Sequence, residues 1–180
     1  MFTNALSRLA WQGALLATLL CLPGSIFADN LAEDDIKAGY ILNFSKYTEW
    51  PEWIVSSGEI RICALGSQPL SGKLVDLQGR KIQGREIRVR ASVRSDEWRD
   101  CQVLFVAADE AQRSETVLRN VSQYPVLTIS DAPGFAQSGG VIGMKLRAGR
   151  VRFDINQGAA RQAGLKLSSQ LLKLADNVLP

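Results

Sequence analysis

Apolar residues recur along the chain with two different periods, and the switches between them mark out the elements. Asn30 with Glu33 three positions on has the form of a capping box, and Ile36, Tyr40, Phe44 and Tyr47 follow at helical spacing, which predicts a first helix. Pro51 pushes Trp50 out of helical conformation, so this helix is expected to stop near Thr48 or Glu49. Residues 59–65 form a short β-rich run closed by Gly66, and Pro69 is placed to open a second helix through Leu77. In residues 86–93, Ile87, Val89 and Ala91 alternate with Arg88 and Arg90, the period of a strand with one wet face. Residues 101–107 carry no polar side chain after Gln102 and read as a strand buried on both faces. Residues 109–122 read as a helix with Val117, Leu118 and Val121 inward, and 125–130 repeat the buried-strand pattern.

The C-terminal part changes character. Ile142, Met144 and Leu146 alternate with Gly143 and Lys145, Ala148 and Gly149 make a turn, and Val151, Phe153 and Ile155 alternate with Arg150, Arg152 and Asp154, the pattern of a β-hairpin. Helices are expected over 157–163 and 168–178, with Gly164 breaking them apart. Strand–helix–strand alternation implies a parallel sheet covered by helices. The expected fold is a single α/β domain, a mostly parallel sheet flanked by helices with a C-terminal antiparallel hairpin.

Residues 1–28 hold one charge, Arg8, then an apolar run over 13–22, then Pro23, Gly24 and a short segment ending at Ala28. This is the layout of a cleaved secretory signal peptide, its apolar run too short to span a bilayer, which needs about 20 residues. The domain proper is then 29–180, outside the cytosol. Leu20 before Cys21 is too bulky for a lipid-attachment site. Cleavage leaves Cys63 and Cys101, an even count in a compartment where disulfides persist. A bridge between them would close a loop of about 40 residues and contribute up to about 4 kcal/mol; a pair of buried free thiols is the alternative.

Charge and composition narrow the chemistry. The 180-residue chain has 21 Lys and Arg against 18 Asp and Glu, too small an excess for a dominant nucleic-acid binder. It contains no histidine, which removes Ser-His-Asp, Cys-His and His-ligated metal designs. Gly66 and Gly72 before Lys73 are spaced one residue too far apart for a phosphate loop, and Leu74 stands where a metal-binding hydroxyl belongs. No carboxylate pair is marked as a catalytic dyad. No catalytic, cofactor or metal site is expected, and no nucleic-acid partner. The features left over are surfaces. Trp50, Pro51 and Trp53 place two indoles at the exit from the first helix, with core packing and interface as equal readings. Arg80, Lys81, Arg85, Arg88, Arg90 and Arg94 meet only Glu86 within residues 80–94, which reads as a solvated strand face, or as a surface for an acidic protein or for lipid headgroups. Ser130 and Asp131 follow a buried strand, at the end where α/β sheets bind ligands.

The run Lys37-Ala38-Gly39-Tyr40-Ile41-Leu42-Asn43-Phe44-Ser45-Lys46-Tyr47-Thr48-Glu49-Trp50-Pro51 resembles the opening signature of the YfiR family of bacterial periplasmic proteins. Ile62-Cys63-Ala64-Leu65-Gly66, Cys101-Gln102-Val103-Leu104-Phe105-Val106, Leu127-Thr128-Ile129-Ser130-Asp131, Val151-Arg152-Phe153-Asp154-Ile155-Asn156 and the tail from Gly164 to Ala175 follow in the same order. The resemblance implies a regulator that binds the periplasmic region of an inner-membrane diguanylate cyclase and represses it, lowering cyclic-di-GMP output and biofilm behaviour. It further implies an outer-membrane lipoprotein that relieves the repression, and a Cys63–Cys101 pair; the second cysteine pair of some relatives is absent. A homodimer is admitted as a further partner state. The expected partner-binding surface is Tyr47, Trp50 and Trp53, with Arg88 and Arg90. The rival from another class is a periplasmic small-molecule-binding protein feeding a sensor kinase, with its crevice near Gly66, Ser67, Ser130 and Asp131.

Overall fold

The computed structural model describes residues 25–66 and 69–180. The leader expected over 1–28, apart from 25–28, and Ser67 lie outside the described residues. Helix α1 spans Ser25–Lys46 and leads into the short strand β1, Thr48–Glu49, and the short helix α2, Glu52–Val55. Then come β2 (Glu59–Leu65), α3 (Pro69–Val75), β3 (Lys81–Ile82), β4 (Arg85–Ala91), β5 (Val103–Val106), α4 (Ser114–Val121) and β6 (Leu127–Ser130). The hairpin β7 (Ile142–Arg147) and β8 (Arg150–Asn156) is followed by α5 (Gln157–Gln162), β9 (Lys166–Leu167), α6 (Ser169–Leu174) and β10 (Asn177–Leu179).

One eight-stranded sheet runs β10-β8-β7-β6-β5-β2-β4-β3, and β1 pairs separately with β9. β4, β2, β5, β6 and β7 pair in parallel, whereas β3–β4 and β7–β8 are antiparallel. The sheet is covered on both faces, and strand periodicity assigns its residues to two cores. Ile60, Ile62, Ala64, Val103, Phe105 and Ala107 join Ile41 and Phe44 of α1 and Leu70 and Leu74 of α3 in one cluster. Cys63, Leu65, Leu104 and Val106 point the other way, toward Val117, Leu118 and Val121 of α4. This is why β5, and β2 from Ile62 on, read as continuous apolar runs: successive side chains enter different cores.

The disulfide Cys63–Cys101 lies in the α4-side core, with Cα atoms 5.9 Å apart. Cys101 sits just before β5, and the register of β2 against β5 brings it beside β2, where Gln102 N–H donates to the Arg61 carbonyl.

The sequence pattern misplaced several boundaries. α1 begins at Ser25 rather than at an Asn30 cap, since neither glycine nor proline interrupts 25–46 before Gly39. It stops at Lys46 because Thr48 and Glu49 are recruited into pairing with Leu167 and Lys166. The helix expected over 109–122 divides into a 3₁₀ segment, Ala108–Arg113, and α4; none of the 3₁₀ residues is buried, so no packing draws that stretch into α geometry. The helix expected through Val178 ends at Leu174. Asp176 N–H donates to the Phe153 carbonyl and the Asn177 side chain donates to Asp154, so the chain finishes as a strand along β8.

Asp154 anchors that last strand pairing. Burial pushes its carboxyl up, but hydrogen bonds from Lys145, Asn177 and Gln137 outweigh this and hold it below the ordinary carboxylate value. A carboxyl lowered in the folded state contributes stability that is full above the unfolded value, about 3.9, and is lost as pH falls through the folded one. Urea midpoints measured into the acid range are therefore expected to drop more steeply for the wild type than for Asp154→Asn; parallel curves would remove Asp154 from the acid response. For the bridge, the exported protein is expected to show no reactive thiol when denatured without reductant, and Cys63→Ala with Cys101→Ala to lose about 2–4 kcal/mol. Two titratable thiols would contradict it.

Candidate functional site: an aromatic edge at the end of the first helix

The C-terminal end of α1 is turned into a fixed surface by a chain of backbone and side-chain bonds. Thr48 is buried and its hydroxyl donates to the Phe44 carbonyl at 2.8 Å, closing the helix. β1 then pairs antiparallel with β9, and Ser168 N–H donates to the Tyr47 carbonyl at 3.0 Å. Trp50, only 8% exposed, joins the α1-side core, and its indole Nε1 donates to the Gln102 carbonyl at 3.2 Å. Gln102 is itself fixed, because its Oε1 accepts from Arg61 N–H and its carbonyl also accepts from Leu127 N–H. Trp50 is thus bolted to the N-terminal ends of β5 and β6. Pro51 in extended conformation caps α2, and one turn later Trp53 stands 70% exposed.

A groove of about 510 Å³ is lined by Glu49, Trp50, Glu52, Gln83, Arg85 and Lys166 among others, and Trp53 follows its wall residue Glu52 in the chain. Its far wall is held by Gln83, whose amide donates to the Lys46 carbonyl at 2.8 Å and whose Oε1 accepts from Arg85 at 3.3 Å. The groove thus mixes carboxylates with cations, and an exposed indole follows one residue after its lining. This is the composition of an interface rim around an aromatic anchor.

The five residues singled out in sequence separate. Tyr47 is half-buried and packs against the α1-side core, with Lys46 Nζ 5.6 Å from its ring centre. Trp50 is a core residue whose edge touches the groove, and Trp53 is fully on the surface. Arg88 and Arg90 lie elsewhere. Ile87 and Val89 pack toward the α1-side core, so alternation sends the two arginines to the opposite face of the sheet. Nor are they uncompensated: Arg88 pairs with Glu59 at 3.1 Å and Glu86 at 3.4 Å, and Arg90 with Glu97 at 3.3 Å. Glu59 arrives through the β2–β4 register, which no local window of sequence displays.

At the opposite end of the sheet the expected ligand crevice is occupied by the protein's own groups. Asp131 accepts from Lys37 at 3.0 Å and from Ala108 N–H at 3.0 Å, and Lys37 also pairs with Glu33 at 2.8 Å. Burial alone would lower the Lys37 ammonium, but its bonds to Glu33 and Asp131 prevail and hold it above its ordinary value. Ser130 is buried, its hydroxyl accepting from Ala132 N–H at 2.9 Å. Gly66 has positive φ, and a Cβ there would collide with Asp109 and Ala107. Among the described residues, no group of three or more His, Cys, Asp or Glu side chains could hold a metal ion, and no helix is long and apolar enough to cross a membrane.

The two indoles are expected to respond oppositely to truncation. Trp50→Ala should lose about 3–5 kcal/mol in denaturant melts, since it empties a core site. Trp53→Ala should stay within about 0.5 kcal/mol of wild type, as an exposed position does. Equal losses at both positions would contradict this division.

Two solved structures are similar over 71% of this chain: a conserved domain protein from Vibrio cholerae O1 biovar eltor, 12% identical with a TM-score of 0.46, and the ABC domain in complex with L-Trp from Streptococcus pneumonia, 14% identical with a TM-score of 0.48. The chain spans 57% and 58% of their respective lengths. The model of the YfiR/HmsC-like family matches residues 34–176, from the exposed turn of α1 to the residue before β10. Coverage of that extent takes in the α1 signature, both cysteines, the hairpin and the tail, and the chain belongs to the YfiR/HmsC-like family of periplasmic regulators in cyclic-di-GMP signalling.

Proposed function

We propose that this protein is exported to the periplasm by a cleaved leader and there represses an inner-membrane diguanylate cyclase by binding its periplasmic region through the Trp53 edge. The observation that carries this reading is the exposed Trp53 indole, one residue beyond the lining of a mixed-charge groove, on a scaffold whose neighbouring indole is locked into the core. An exposed tryptophan next to a rigid rim is the kind of anchor that dominates contact energies. The mechanism is differential affinity: a repressor that prefers the inactive conformation of the cyclase shifts its population by no more than that preference, tenfold for each 1.4 kcal/mol or so. An outer-membrane lipoprotein that competes for the repressor relieves the effect by mass action. No bond is made or broken in the repressor itself.

The small-molecule reading is less favoured, because Asp131 already accepts from Lys37 and Ala108 and the buried Ser130 hydroxyl from Ala132. Deleting the gene is expected to raise cellular cyclic-di-GMP, and complementation with Trp53→Ala to leave it raised although the variant accumulates and melts as wild type does. Unchanged nucleotide on deletion would contradict the cyclase as target. Full repression by Trp53→Ala would move the contact away from this edge.

A further inference from the structure

The hairpin carries a second surface that the Trp53 edge does not use. β6 ends at Ser130 opposite Gly143 of β7, so the hairpin from Met144 onward projects beyond the last strand pairing of the parallel sheet. Its turn, Ala148–Gly149, has positive φ at both residues, the conformation that two-residue hairpin loops require. Facing the projection across an open channel is the middle of α1, from Glu33 to Tyr40, held at this end of the sheet by the Lys37–Asp131 pair. From Ile36 to Lys46 the helix covers about 15 Å, which keeps this channel apart from the aromatic edge.

The channel has a volume of about 760 Å³, and its walls are apolar and basic. Ile36 is 52% exposed on the helix side and Leu146 is 54% exposed on the hairpin side, with Tyr40 and Val151 between them. Arg150 and Arg152 line the same channel. Cross-strand register sets Lys145 opposite Arg152 and Arg147 opposite Arg150, like charges whose direct opposition destabilises a hairpin. Compensation is incomplete. Asp154 serves Lys145 at 2.6 Å, and Asp176 is shared among Lys145, Arg147 and Arg152 at 3.5–4.0 Å. Arg150 has no carboxylate partner among the described residues. Glu33, on the helix wall, is committed to Lys37.

From this geometry we infer that the channel between α1 and the β7–β8 hairpin is a docking site for an acidic amphipathic helix of a partner protein. The apolar side chains would receive its hydrophobic stripe, as grooves between elements receive i, i+3, i+4 anchors. Arg150 and Arg152 would meet its carboxylates, supplying the anions that the hairpin itself lacks. A bilayer surface is the poorer match, because interfacial binding inserts protruding apolar side chains, whereas these line a concavity. The site adds a second contact to the protein and does not depend on the identity of whatever meets Trp53.

The test is selection of displayed helical peptides of about 16 residues, roughly four turns, with random sequence, on the purified exported protein, followed by fluorescence anisotropy with a synthetic selected peptide. The expected result is enrichment of peptides with Asp and Glu beside an apolar stripe. Their affinity should fall at least tenfold on Arg150→Glu/Arg152→Glu, fall on Leu146→Ser, weaken with added salt, and be unmoved by Trp53→Ala. Arg150→Glu alone serves as the second variant should the double change unfold the hairpin, since Arg150 has no internal ion pair to lose. No enrichment, enrichment of neutral or basic sequences, or acidic peptides indifferent to charge reversal would overturn the proposal. So would flotation with phosphatidylglycerol vesicles that Arg150→Glu abolishes while no peptide is selected, which would assign the surface to lipid headgroups.

Discussion

Helix α1 holds to the sheet through Ile41 and Phe44, both essentially without solvent contact, and through a ring cluster in which Phe153 meets Phe44 edge-on at 4.8 Å and Tyr40 at 5.9 Å. Burial of such side chains stabilises by about 1.5–3 kcal/mol each, and the aromatic pairs add to that. Lys37, midway along the helix, ties it to Asp131 just after β6, while Trp50, beyond its C-terminal end, is fixed to Gln102 before β5. The helix therefore lies along the parallel strands held at its middle and just past its C-terminal end. The channel uses the helix as a wall and the groove uses the segment that follows it, so neither would keep its shape if the helix were free to pivot.

Much of this was legible in the sequence because the period of burial is a local property. β5 announces itself as an unbroken apolar run, β2 as a β-rich run closed by Gly66, and the hairpin as two alternating runs around Ala148–Gly149. The places where the reading fails are those decided by distant partners. β1, β9 and β10 are too short to carry a period, and exist because another strand offers them an edge. Arg88 and Arg90 look unbalanced in a window of neighbours, yet Glu59 and Glu97 reach them in space. Similarly, one tryptophan of the Trp50–Trp53 pair faces inward and the other outward, a distinction set by the Gln102 carbonyl and the turn into α2 rather than by residue type. The groove residues Gln83 and Lys166 come from distant parts of the chain and carried no signal of their own, and Arg85 stood out only as one cation of the basic run.

The absence of histidine, together with the internal use of Ser130 and Asp131, leaves a molecule whose distinctive features are surfaces and a rigid frame. The disulfide belongs to the frame. It joins β2 to the start of β5 within the α4-side core, away from the α1-side core that carries Trp50. A regulator acting by contact has to keep its binding residues in place before the partner arrives, since ordering them on binding would subtract from affinity. Holding α1 at its middle and past its C-terminal end, and bridging β2 covalently to the start of β5, meet that requirement through packing, hydrogen bonds and the disulfide together.

Contact through the end of α1 is the central claim, and hydrogen exchange on the exported protein, alone and with the periplasmic region of a membrane diguanylate cyclase from the same cell, reads it most directly. Slowed exchange is predicted for the amides of 47–56 and 164–168, with the hydrogen-bonded strands β5 and β6 unchanged. Protection confined to β4 or α4, or identical exchange in the two samples under conditions where the proteins co-elute, would contradict it.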